Sequence, residues 1–293
     1  MSVYPPQPAV REAVARALAE DVLPLGDLTA ALVPEATVAR LFVRAREDGV
    51  VAGQRCAEEA FALVDDTLEV TWHRPDGAVV GPGDTVAEVA GRLRPILTGE
   101  RTALNFLGHL SGVASLTRRF VAAVTAVDPA VRILDTRKTT PGLRALEKAA
   151  VRAGGGHNHR ANLSDGVLVK DNHLAGVSIT EAVAKARAMW PGRMVEVECD
   201  RPDQVEEACR AGATAVLLDN MTPEQATDCV GLARRVAGTA GVLVEVSGRV
   251  TLATAPAYAA AGVDLISVGA LTHSVTALDF GLDYVTPTAK DGD

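Results

Sequence analysis

Ala213-Thr214-Ala215-Val216-Leu217-Leu218-Asp219-Asn220 is the stretch on which the fold turns. Its apolar centre is too continuous for a strand with one wet face, so it reads as a strand buried on both faces that delivers Asp219 at its C-terminal end. Residues 131–134, 166–169, 194–197, 242–246 and 265–268 repeat the pattern, with helix-forming segments such as 180–188 and 202–211 between them and Gly192, Gly212, Gly241 and Gly262 near the helix ends. Alternation of this kind describes a parallel sheet covered on both sides by right-handed crossovers. Asp135, Lys170, Glu198, Asp219, Ser247 and Gly269 all follow strands directly. An open sheet would spread such ends along a line, whereas a barrel gathers them into a ring at the face where α/β barrels hold ligands. The expectation is a parallel α/β barrel that falls short of eight strands and is therefore open.

The chain before this region reads differently. Residues 38–44, 68–73 and 85–89 form short strands separated by the turn signals Asp76-Gly77 and Pro82-Gly83-Asp84, with helices expected at 8–20 and 98–113. Residues 1–113 are thus expected to be an α/β domain with an antiparallel sheet, and 114–270 the barrel domain, with 271–293 packing back on the first.

Composition narrows the class of function. The 293 residues are 48% hydrophobic and carry a net charge of −8, which excludes a broad basic surface for nucleic acid. Cys56, Cys199, Cys209 and Cys229 show no paired spacing and read as free thiols of a reducing compartment. The N-terminal segment carries Arg11, Glu12, Arg16 and Glu20 where a signal peptide would be apolar, and no run is long enough to span a bilayer. A cytoplasmic protein without membrane or nucleic-acid partners is expected.

Against this acidic background the cations are concentrated. Asp135-Thr136-Arg137-Lys138-Thr139-Thr140-Pro141-Gly142, Gly154-Gly155-Gly156-His157-Asn158-His159-Arg160 and Lys170-Asp171-Asn172-His173 lie within forty residues. Arg137, Lys138, Arg160 and Lys170 would repel one another in a cleft unless an anion filled it, so the ligand is expected to be polyanionic. The three glycines would let backbone N–H groups approach such an anion, although a flexible loop would look the same, and their spacing matches neither the Rossmann nor the Walker pattern. His157 and His159 lack a third ligand at suitable spacing, so hydrogen bonding is expected of them rather than metal binding. Glu198 and Asp219, at the ends of adjacent strands among phosphate-seeking cations, suit Mg²⁺ shared with a substrate phosphate. The alternative for Asp219 or Asn220 is to cap the helix that starts near Thr222-Pro223. Ser247-Gly248 and Val268-Gly269 have the small residues of a barrel phosphate grip, or merely turn the chain.

Together these motifs, with Glu100-Arg101-Thr102-Ala103-Leu104-Asn105, Glu196-Val197-Glu198 and Ser267-Val268-Gly269-Ala270-Leu271-Thr272-His273-Ser274, resemble the quinolinate phosphoribosyltransferase family along almost the whole chain. The resemblance implies an N-terminal α/β sandwich domain and an incomplete α/β barrel, in a homodimer whose active sites are shared. It implies that Arg101 of one subunit joins Arg137, His159, Arg160 and Lys170 of the other around quinolinate. It also implies that Lys138, Lys170, Glu198, Asp219, Ser247, Gly248, Val268, Gly269 and Ala270 hold phosphoribosyl pyrophosphate with Mg²⁺, with Thr136 and Arg249 counted in the same substrate site. Lys138, Lys170, Glu198 and Asp219 are the catalytic set so implied. The family's product is nicotinate mononucleotide, formed in de novo NAD synthesis with release of pyrophosphate and CO₂.

One position departs from the family pattern. Ser247-Gly248 is followed by Arg249 where many relatives have glycine or asparagine. Arginine enters positive φ less readily than glycine, so the loop is expected to differ locally or to turn this side chain away. Other functions fit parts of the sequence: a barrel lyase with Lys138 or Lys170 as a Schiff base, a noncatalytic sensor of a phosphorylated metabolite, or a phosphoribosyltransferase for another small anion. Borohydride trapping separates the first, Mg²⁺-dependent turnover the second, and substrate replacement the third.

Overall fold

The computed structural model describes residues 2–284. In chain order the elements are α1 (Gln7–Val22), β1 (Val38–Ala45), β2 (Gly49–Val50), α2 (Gln54–Val64), β3 (Glu69–Trp72), β4 (Val79–Val80), β5 (Thr85–Arg92), α3 (Leu93–Thr125), β6 (Arg132–Leu134) and α4 (Arg144–Ala153). They continue with β7 (Val167–Val169), α5 (Ile179–Met189), β8 (Val195–Cys199), α6 (Pro202–Ala211), β9 (Ala215–Asp219), α7 (Pro223–Ala237), β10 (Leu243–Ser247), α8 (Ala255–Ala260), β11 (Leu265–Ser267), α9 (Ala270–His273) and β12 (Phe280–Tyr284).

Two compact units result. The first comprises the chain up to Leu116, Thr140–Gly155 and the segment from Val275; the second comprises Thr117–Thr139 and Gly156–Ser274. The part of the expected C-terminal segment beyond residue 284 lies outside the described residues.

In the first unit, β12, β1, β5 and β3 form an antiparallel sheet in that order. β12 reaches β1 across most of the sequence, with Val43 opposite Leu282. Helix α1 buries Val10, Ala13, Val14 and Leu18, a spacing that places them on one stripe, and α1 is tied to α2 by Gln7 and Arg11, which both donate to the Glu59 carboxylate. The sequence-based reading left 144–153 unassigned within the barrel domain; instead α4 belongs to the first unit and buries Glu147 completely. Glu147 is held there by His109 Nε2 at 2.8 Å and by the Thr140 N–H at 3.1 Å.

The second unit is built on a six-stranded sheet of order β6-β11-β10-β9-β8-β7, with every pair parallel. From β7 to β11 each strand lies beside the next in sequence, and β11 then pairs with β6, the strand that precedes β7 in the chain. This is the circular order of an α/β barrel with one seam unpaired, between β6 and β7, and so the open barrel expected from the sequence. The free edge of β6 takes a single parallel bridge from the following loop, Leu134 opposite His157. The apolar centre of β9 is fully buried from Ala215 to Leu218, as continuous burial on both faces requires. The intervening helices carry their own signals: Pro202 opens α6, Gly212 closes it at φ 83°, and Thr222 caps α7 by accepting from the Gln225 N–H.

Candidate active site

The six strands end on the same side, and strand periodicity arranges their inward side chains in two layers. Residues two apart share a face, so Glu198 and Glu196 of β8, Asp219 and Leu217 of β9, and Ser247 and Glu245 of β10 stand one above the other. Registry aligns the layers across the sheet, with Glu198 opposite Leu217 and Ser247 opposite Asp219. Above them opens a cavity of about 600 Å³. Among its lining are Thr136, Arg137, Lys138, His159, Arg160, Lys170, Glu198, Asp219, Ser247, Gly248 and Arg249. Val268, Gly269 and Ala270 follow β11 and are not part of this lining; Val268 is buried, its N–H bonded to the Leu134 carbonyl. Arg101 is exposed on α3 in the first unit.

The cations sit where they crowd one another. Burial, and then the neighbouring Arg137 guanidinium, pull the Arg160 guanidinium below its ordinary value, as expected of a site that anions fill. Lys170 forms an ion pair with Glu198 at the cavity wall. Its own backbone is fixed by His173, whose Nδ1 accepts the Lys170 N–H at 2.9 Å while the His173 N–H returns to the Lys170 carbonyl at 2.8 Å. Lys138 is set by a turn in which its N–H donates to Thr136 Oγ1 at 3.0 Å. Asp219 accepts Asn220 Nδ2 at 2.8 Å and does not cap α7, a role taken by Thr222.

Three sequence-based expectations change. Gly154 and Gly155 do not present N–H groups to a ligand, because these donors bond to the Ala150 and Arg152 carbonyls and terminate α4. Asp135 does not face the cavity. It is fully buried, and its carboxylate accepts the His159 N–H at 3.0 Å and Asn158 Nδ2 at 2.5 Å, fixing the loop that carries His159. Arg249 neither reshapes its loop nor turns away. It holds φ 52° after Gly248 at φ 92°, and it lines the cavity. Glycine is required at 248, since a Cβ there would lie 2.4 Å from Asn220 Oδ1.

Sequence reading missed the lower layer. Glu196 and Glu245 are each 1% exposed and converge on His159, with Nε2 at 3.1 Å from Glu196 and 3.5 Å from Glu245. Burial, and next the Glu196 charge, drive the Glu245 carboxyl well above the usual carboxylate range. The available signal was a carboxylate inside each of two strands otherwise read as wholly apolar, Val195-Glu196-Val197 and Val244-Glu245-Val246.

Known proteins carry the same arrangement of chain. Residues 27–111 match the family model for the quinolinate phosphoribosyl transferase N-terminal domain, and residues 113–283 match that for its C-terminal domain. A Mycobacterium leprae protein named nicotinate-nucleotide pyrophosphorylase [carboxylating] is 43% identical over 281 residues, covering 94% of this chain and 97% of its own. A Bacillus subtilis protein named as a probable nicotinate-nucleotide pyrophosphorylase [carboxylating] is 42% identical over 261 residues, 88% of either chain. Among solved structures, the nicotinate-nucleotide pyrophosphorylase from Francisella tularensis superposes with a TM-score of 0.89 at 38% identity, covering 96% of this chain and 98% of that one. Matched along both domain models and at these identities, the chain belongs to the quinolinate phosphoribosyl transferase family.

Proposed function

We propose that this protein transfers the phosphoribosyl group of phosphoribosyl pyrophosphate to the ring nitrogen of quinolinate, giving nicotinate mononucleotide, pyrophosphate and CO₂ in de novo NAD synthesis. The observation that carries this reading is the joint presence, around one cavity of an acidic protein, of Arg137, Lys138, Arg160 and Lys170 with the carboxylates of Glu198 and Asp219. Two carboxylates on one substrate, and a phosphate and a pyrophosphate on the other, supply the counter-charge that these cations need. The pyridine nitrogen attacks the anomeric carbon as the bond to pyrophosphate breaks, through a transition state of oxocarbenium character. Lys138 stabilises the departing pyrophosphate, while Arg137 and Arg160 hold the dicarboxylate. The ring, now cationic at nitrogen, stabilises the electron pair left when the adjacent carboxylate departs as CO₂, and a proton then occupies that carbon. No protein nucleophile is consumed, so catalysis is mainly positioning and preorganised charge.

Glu198 and Asp219 offer hard oxygen donors at the ends of adjacent strands, the donor set that Mg²⁺ takes when it also binds substrate phosphates. Held there, the ion would supply charge neutralisation of the pyrophosphate group. Lys170 pairs with Glu198 and keeps that carboxylate oriented toward the cavity wall.

A homodimer with shared sites is part of the same reading, with Arg101 of the partner subunit completing the dicarboxylate pocket. It is supported by an apolar segment after α1 in which Leu23, Leu25, Leu28 and Leu32 are all exposed, Leu32 at 83%, a concentration that fits a surface covered by a second copy of this chain. A cytoplasmic setting is supported by four cysteines that are all buried and unpaired. Among the described residues no helix is long and apolar enough to cross a membrane.

The deciding assay combines purified protein, quinolinate, phosphoribosyl pyrophosphate and Mg²⁺, and scores pyrophosphate and nicotinate mononucleotide. No product, or equal product with nicotinate in place of quinolinate, overturns the assignment. Mixed dimers of R101A and K138A subunits test the shared site: partial recovery of activity is expected, and verified heterodimers without recovery remove Arg101 from the partner's site.

A further inference from the structure

The lower layer of the cavity has the composition of a metal centre, with one imidazole and two carboxylates whose ligand atoms all lie within 4.8 Å of one another. The hydrogen bonding of the imidazole excludes that use. The Arg160 backbone N–H donates to His159 Nδ1 at 2.7 Å. A backbone amide is an obligatory donor, so Nδ1 must carry a lone pair, and in a neutral ring the proton then resides on Nε2. A protonated Nε2 cannot ligate a metal. It can donate, and the group in front of it is the Glu196 carboxylate at 3.1 Å, with Glu245 at 3.5 Å.

Both ring nitrogens of His159 are therefore committed within the protein. Nδ1 accepts from Arg160, and Nε2 points down to the buried glutamates. The side chain is only 8% exposed, and the backbone N–H of His159 is held by Asp135. What the ring fixes is the backbone of Arg160, whose guanidinium lines the cavity and donates to the Gly166 carbonyl at 3.2 Å.

We propose that His159 is a positioning residue in its neutral Nε2–H form, anchored from below by Glu196 and Glu245, and that it places Arg160 for the substrate anion instead of binding that anion itself. The two glutamates come from β8 and β10 and so brace the ring from either side of β9, which contributes Leu217 between them. A carboxylate pair beneath an anion pocket looks wrongly signed. Its place is explained if its task is to accept from His159 and to balance the crowded cations above.

The tautomer is read directly from the ¹⁵N shifts and two-bond ¹H–¹⁵N couplings of the His159 ring in the full-length protein, assigned with H159N. Expected is a neutral Nε2–H pattern between pH 6 and 8, unmoved by added Mn²⁺ or Zn²⁺ and retained with quinolinate bound. An imidazolium pattern, an Nδ1–H tautomer, or displacement of the Nε2 signal by metal or quinolinate overturns the proposal. This measurement is independent of the proposed activity. The kinetic arm rests on that activity and uses two amides. Asparagine places an oxygen near the Nδ1 position and can still accept from Arg160, whereas glutamine places an N–H near Nε2 and cannot. The KM for quinolinate is expected to be about tenfold higher in H159Q than in H159N, the effect of one lost hydrogen bond to a substrate-binding segment. Equal values, or the reverse order, would mean that Nε2 serves the substrate and that the proposal is wrong.

Discussion

The Thr272 hydroxyl donates to the main-chain oxygen of Lys138 across 2.7 Å, and it lies 3.2 Å from the Gly269 carbonyl. Thr272 is on α9 after β11, and Lys138 is in the loop after β6, the neighbouring strand. A buried hydroxyl thus ties the loop bearing a proposed catalytic lysine to the glycine turn beside it. T272V keeps the shape and removes the donor. It should lower kcat/KM for phosphoribosyl pyrophosphate about tenfold with a loss of about 1 kcal/mol in stability, and T272S should restore most of both. Steady-state kinetics and urea unfolding of the two variants check this, and equal activity of T272V and wild type would remove the tether from the mechanism.

Arg249 holds a left-handed backbone conformation that favours glycine, at about 1–2 kcal/mol for a residue with a Cβ. Persistence of that conformation beside Gly248 suggests that the guanidinium is wanted in the cavity. R249A keeps the backbone strain and loses the charge, whereas R249G loses both. Both variants should raise KM for phosphoribosyl pyrophosphate about tenfold, the loss of one charge-assisted phosphate contact. R249G should be more stable than R249A by about 1 kcal/mol in thermal unfolding. If both variants keep the wild-type KM, Arg249 is a surface charge in an awkward conformation.

Much of this was legible in the sequence because the second unit announces itself locally. Each strand of a parallel sheet is buried on both faces, so residues 215–218 read as continuous apolar runs, and the polar residue after each run marks the mouth of the barrel. The same rule hid Glu196 and Glu245. They sit inside runs classed as apolar, and a buried carboxylate becomes visible only when the loop bearing His159 is folded against it. Helix α4 was hidden for a related reason, since it buries Glu147 and Lys148, charged residues that a sequence pattern assigns to solvent. Pairing of β12 with β1 depends on registry between segments more than two hundred residues apart, for which no local signal exists. Arg101 shows a different boundary: its exposure on α3 is a property of one chain, whereas its proposed role needs two.

Glu198 and Asp219 differ in their surroundings, and this separates their expected responses. Glu198 is engaged by the Lys170 ammonium, while Asp219 accepts only an amide from Asn220 among the hydrogen bonds described. D219N and E198Q should each raise the Mg²⁺ concentration for half-maximal rate about tenfold, one charged oxygen ligand being lost in either case. E198Q should in addition release Lys170 and change KM for the anionic substrates, a change that D219N should not share. Mg²⁺ titration of both variants at fixed substrate decides this, and unaltered Mg²⁺ dependence in both would place the ion elsewhere.

Asp76 provides a test far removed from the chemistry. In the turn before β4 its carboxylate accepts the Gln54 N–H at the start of α2 at 3.0 Å, and burial, opposed in part by this bond, pushes its carboxyl up to about 6 from 3.8. The folded protein therefore binds more protons than the unfolded chain between about pH 4 and 6, and stability falls as pH rises through that window. Below pH 4 both states are protonated and the penalty is absent; above pH 6 it is complete. D76N keeps an oxygen for Gln54 and removes the ionisation. It should match wild type near pH 4 and exceed it above pH 6 by at most about 3 kcal/mol, the upper limit set by two pH units of displacement before solvent screening. Urea unfolding of both proteins at pH 4, 5, 6 and 7 gives the difference directly. A constant offset across the series would show that Asp76 ionises normally, and that Gln54 receives a full carboxylate charge at every pH above 4.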